Sequence, residues 1–140
     1  MNIVELDREL ASLVKMKNEL SVLNYNDENY DKIEEELHDQ EDDFLEKYGD
    51  YIEDGLNEVH DEFCPDTDVL LPIAYLANKY IAKGKNEDGS IHYDVDIDEG
   101  VIVEVDDYPD AISKLVLVPG PTRLILNVKN KGQEVVWKAK

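Results

Sequence analysis

His60 and Cys64 stand four residues apart, a spacing that sets two side chains on one face of a helix, with Glu58, Asp61 and Glu62 beside them. An imidazole and a thiolate so placed supply half of a tetrahedral zinc site, which needs two more ligands. The remaining histidines, His38 and His92, have no cysteine or close partner in sequence. The structural alternative is a small buried thiol at a helix end. His60 is then a surface residue near the helix carboxyl terminus, where its charged form is favoured. Asp94, Asp96 and Asp98 form a second candidate metal set, alternating with Val95 and Ile97. They do not make a calcium-binding EF-hand loop, because Glu99 and Val105 occupy the positions where glycine and glutamate are required. On one face of a strand they are candidate ligands for a hard cation, or a sheet edge guarded by like charge. Glu35 and His38 have the Glu-x-x-His spacing of di-iron bundles, but only one of the two motifs needed is present.

No serine sits in a nucleophile elbow, and no Gly-x-x-x-x-Gly-Lys loop is present. Pro119-Gly120-Pro121-Thr122-Arg123 reads as a stiff turn between strands, with Arg123 as a possible anion hook in an acidic chain. The segment Asn24–Tyr30 places Tyr25, Asp27, Glu28 and Tyr30 together. Tyrosine gives contact area with few rotatable bonds, so this cluster is the candidate partner-binding surface. An acidic-tipped helical hairpin ahead of a small β domain is similar in layout to the bacterial transcript-cleavage factors. That resemblance implies a polymerase-associated role with tip carboxylates around a metal; the β-domain signatures of those factors are absent here.

These residues need elements to position them. Ile3, Leu6, Leu10, Leu13, Val14, Leu20 and Leu23 recur at helical spacing, predicting a first helix over about 2–23. A second helix is expected over about 27–63, capped by Asn26 or Asp27 and stopped at Cys64-Pro65, because Pro65 disfavours helical geometry at the residue before it. Folding back near Tyr25 pairs Leu37 with Leu13, Phe44 with Leu6 and Tyr48 with the amino terminus. The apolar stripe skips His38–Asp43, and Gly49 and Gly55 each cost about 1 kcal/mol inside a helix, so a break there competes with an unbroken helix. The stripe over 48–63 extends beyond the first helix, and must be covered by the β segment or by a second copy in a homodimer. A third short helix is expected over about 69–83, with a strand pair as the alternative. Strands follow at 91–97, 101–105, 115–118, 123–128 and 134–138. Their short connections predict an antiparallel meander of four or five strands. The fold class is α+β, with 1–64 an acidic helical hairpin and 65–140 a β-rich segment, both within one cooperative unit.

Charge narrows the function classes. Across 140 residues there are 34 acidic and 14 basic side chains, a net of −20. Residues 1–64 carry −16 of this and residues 65–140 carry −4. Such a chain lacks the positive footprint that nucleic-acid backbones and anionic membranes require. No window is apolar for long enough to span a bilayer. A single cysteine precludes an internal disulfide, and the amino terminus lacks a secretory pattern, so the expected location is cytoplasmic. The expected function is a non-enzymatic interaction module (an adaptor, inhibitor or immunity-like protein) that binds a basic protein partner. The alternatives are metal binding through surface carboxylates with His60 and Cys64, and a small-molecule binder or enzyme with a pocket between helices and sheet. No cofactor is expected.

Overall fold

The computed structural model describes all 140 residues. Helix α1 spans Ile3–Val22, and its first turn is closed by Asn2, whose side chain accepts from the Glu5 amide at 3.1 Å. Helix α2 spans Glu28–Phe63 without interruption and is capped by Asp27, whose carboxylate accepts from the Asn29 amide at 2.9 Å. The break considered near 38–43 does not occur; the inward stripe continues through it with Glu41, which is buried there. That stripe runs Leu37, Glu41, Phe44, Tyr48, Ile52, Leu56 and Val59 at steps of three and four.

The hairpin register differs from the expected one. Tyr48 meets Glu9 through its hydroxyl, Lys47 pairs with Glu9 at 2.9 Å, and Ser12 bonds Gln40. The helices are therefore shifted against each other, and Tyr48 lies more than a turn inside α1.

The expected third helix is replaced by one 3-10 turn, Pro72–Tyr75, followed by strand β1, Ile81–Lys85. The cause is visible in its amides. Leu70 and Ala77 donate to the hydroxyls of Tyr75 and Tyr80, Asn78 and Lys79 to the carboxylate of Glu99, and Tyr80 to the side chain of Asn18. Donors already satisfied by side chains do not need a helix to satisfy them.

Strand β2, Ile91–Asp94, pairs with β1 in a two-stranded sheet. Strands β3 (Val101–Val103), β4 (Ser113–Val118), β5 (Arg123–Val128) and β6 (Gly132–Lys138) form an antiparallel meander in sequence order. The expected four-stranded sheet is thus present, with 91–94 assigned to the smaller one. Strand β5 is buried along its whole length, and β4 everywhere but at the half-buried Lys114. Leu115, Leu117, Leu124, Leu126 and Val128 share one core with α1, α2 and Tyr75. Val116, Val118 and Ile125 share another with Val14, Tyr80, Tyr93 and Val95. Burial on both faces explains runs such as Leu115-Val116-Leu117-Val118, which are apolar throughout rather than alternating.

The stripe over 48–63, the motive for a homodimer, is covered by this chain itself. Ile52 and Leu56 are fully buried in the core formed with the sheet. Gly55 is where α2 and β6 come closest. A Cβ at that position would lie 2.5 Å from the Trp137 ring, so glycine here makes room for an indole.

Candidate functional site

The expected tip cluster is assembled. Tyr25 is 79% exposed and stacks obliquely on Tyr30, with ring centroids 5.3 Å apart. Asp27 is exposed, but its carboxylate is committed to the helix cap, leaving Glu28 as the free charge beside the two rings.

From the tip, carboxylates continue along α2. Glu34 is half-buried and Glu41 buried; every other acidic side chain of the helix is exposed. Asp39, Asp42, Asp43, Glu46, Asp50, Glu53 and Asp54 follow at steps that keep them on the solvent side, opposite the apolar stripe. At ~1.5 Å per residue this face runs for roughly 54 Å. The chain contains one ion pair, Lys47 with Glu9, so none of these carboxylates is in direct contact with a cation, and only Lys32 and Lys47 interrupt them along the helix. Like charges three and four apart destabilise a helix by a few tenths of a kcal/mol each, about 0.2–0.5. The core holds α2 in place against that repulsion.

The second candidate set does not come together. His60 is 2% exposed rather than at the surface. Its Nδ1 lies 2.8 Å from the Thr67 carbonyl and its Nε2 lies 2.9 Å from the Tyr75 hydroxyl. A carbonyl only accepts, so Nδ1 donates to Thr67, while Nε2 bonds the Tyr75 hydroxyl, which also accepts from the Leu70 amide. Both ring nitrogens are engaged in tying the end of α2 to the 67–75 segment. Cys64 is buried as expected, and burial, with a smaller contribution from Asp106, pushes its thiol up to about 11, far from the thiolate a metal needs.

Strand β2 ends at Asp94, which corrects the expected strand through Ile97 and with it the shared face of Asp94, Asp96 and Asp98. Asp94 accepts from the Val95 amide and Asp96 from the Asp98 amide, as in turns. No group of three or more His, Cys, Asp or Glu side chains converges as a metal site.

Arg123 is 6% exposed and donates to the carbonyls of Pro119, Pro121 and Tyr93, so it braces the turn rather than hooking an anion. Gly120 in that turn has φ +75°, and a Cβ there would strike the Ile91 carbonyl at 2.0 Å. Asp7 of α1 clasps the same turn, accepting from the Gly120 amide and the Thr122 hydroxyl at 2.8 Å each.

The pocket that sequence reasoning offered between helices and sheet had no residues attached; the structure holds a cleft of about 1030 Å³ between α1, the 86–91 loop and the 121–122 turn. Arg8 and Lys15 line it, two turns apart on what the sequence presents as a solvated face of α1. Only their identical facing at a seven-residue interval hinted at a shared role.

No family model, curated protein or solved structure matches the chain. No helix is long and apolar enough to cross a membrane.

Proposed function

We propose that this chain is a non-enzymatic interaction module in which the acidic face of α2, with the Tyr25–Tyr30 tip at one end, docks a basic partner protein. The observation supporting it is the unpaired ridge of exposed carboxylates running the length of a rigid helix. A predominantly single-sign surface raises the rate of encounter with an oppositely charged partner and suppresses wrong ones. An adaptor, an inhibitor and an immunity-like protein all work this way. A cytoplasmic setting belongs to this reading and rests on the lone, buried cysteine.

The test is capture from native lysate by the purified protein, comparing two charge-reversed variants. One carries Glu46→Lys, Asp50→Lys and Glu53→Lys on the ridge. The other carries Asp98→Lys, Asp110→Lys and Glu134→Lys, exposed positions outside α2. A stoichiometric partner is expected at about 50 mM salt, released by about 500 mM as charges are screened, and lost only in the ridge variant. Equal retention by both variants, or salt-insensitive binding, would overturn the proposal. Asp27 is left unchanged, because reversing it would also remove the cap of α2.

A further inference from the structure

The cleft is chemically unlike the rest of the surface. In a chain of net charge −20 it gathers three cations, Arg8, Lys15 and Lys138, onto its walls. None is ion-paired, since the molecule's one pair is Lys47 with Glu9. Three carboxylates balance these cations, so the cleft is charge-neutral within a strongly negative surface, and two of the three are held in place through one oxygen each. Asp7 holds the 120–122 turn, and Asp88 accepts from the amide and hydroxyl of Ser90. Glu87 is the only uncommitted one.

Part of its wall is apolar, with Ala11, Ile91 and Pro121 joined by Tyr93, beside the polar side chains of Ser12, Asn86, Ser90 and Thr122. Tyr93 is 4% exposed, so it is an almost wholly buried phenol on the lining. Its ring packs edge-on to Tyr80, whose own hydroxyl donates to the Leu117 carbonyl. The Tyr93 hydroxyl makes no hydrogen bond within the chain and is not closed off from solvent, the one buried side-chain polar atom without a partner being Ser113 Oγ. The cleft thus offers donors that no carboxylate pairs directly: a guanidinium, two ammoniums and a phenol.

We propose that this cleft binds a small organic oxyanion, a carboxylate or phosphate ester with a ring-sized apolar body. The body lies on Ala11, Ile91, Pro121 and the Tyr93 ring. The anionic head accepts from Arg8 and Lys138 across the mouth and from the Tyr93 hydroxyl. The volume admits such a ligand, lying just above the roughly 300–1,000 Å³ common for small-molecule pockets. No residue of α2 lines the cleft, so this site stands independently of the acidic ridge.

Phenyl phosphate serves as the probe, with benzyl alcohol as its neutral counterpart, each titrated into isotope-labelled protein and followed by amide shifts. Saturable shifts at Ala11, Ile91 and Tyr93 are expected with phenyl phosphate and not with benzyl alcohol. Arg8→Gln and Lys138→Gln should each weaken binding about tenfold, the usual cost of losing a charge-assisted bond. Tyr93→Phe, which removes only the hydroxyl, should weaken it severalfold with the shift pattern intact. Glu87→Gln should tighten it. No saturable shift up to about 10 mM, equal binding of the alcohol, or unchanged affinity in all the variants would overturn the proposal.

Discussion

Glu41 sits where α2 asks for an apolar side chain. It is 9% exposed on the stripe that faces α1, and burial is the main reason its carboxyl is held above the ordinary range. Lys17 and His38 nearby offset this in part, and Asp42 adds to it. An acid whose folded pKa is raised binds its proton more tightly in the native state. Its favourable contribution is present below the unfolded value near 4.5 and is lost as pH rises through the folded value. Glu41→Gln is therefore expected to raise the melting temperature at pH 7 and to have little effect at pH 4. Glu41→Leu should add about 1 kcal/mol at neutral pH by ending the cost of a buried polar group. Thermal melts at the two pH values check both. At this scale the sequence is legible in its types but not in its burials. His60 looks like any histidine near a helix end until the Thr67 carbonyl and the Tyr75 hydroxyl, 7 and 15 residues away, close around it.

The helices were readable because caps, periodicity and Pro65 are local signals. The segment 69–83 was not, because its amides are satisfied by Glu99 and Asn18, which local spacing does not reveal. The two glycines of α2 show the same division. Gly49 has only Leu45 near it, with ordinary contact at 3.6 Å for an added Cβ, whereas Gly55 lies against Trp137. Gly49→Ala is expected to stabilise by up to about 1 kcal/mol through helix propensity. Gly55→Ala should destabilise by about 1–3 kcal/mol through overpacking, with altered Trp137 fluorescence. Chemical denaturation of the pair decides it. Equal effects of the two substitutions would mean that Trp137 does not pack as described.

Over the whole molecule, the charge that makes the ridge also opposes compaction. One ion pair is all that salt can weaken, while repulsion among 34 acidic side chains is what salt relieves. The melting temperature should rise between about 10 and 500 mM sodium chloride, and a scan across that range measures it. A fall would mean that attractive pairs outweigh the repulsion. The α+β order and the antiparallel meander were legible at this scale because short turns between apolar runs leave few topologies open. The cleft was not, because its walls come from α1, the 86–91 loop, the 121–122 turn and the end of β6, which meet only in three dimensions.

The clasp of Asp7 on the 120–122 turn bears on how the chain comes off the ribosome. Its two hydrogen bonds span 113 and 115 residues, so the first helix waits for the late strands before it gains its anchor. Contacts this distant in sequence slow folding, because a long loop must close before they form. Until then the nascent α1 carries Leu6, Leu10 and Leu13 with only α2 to cover them, and that hairpin is the species a chaperone would meet.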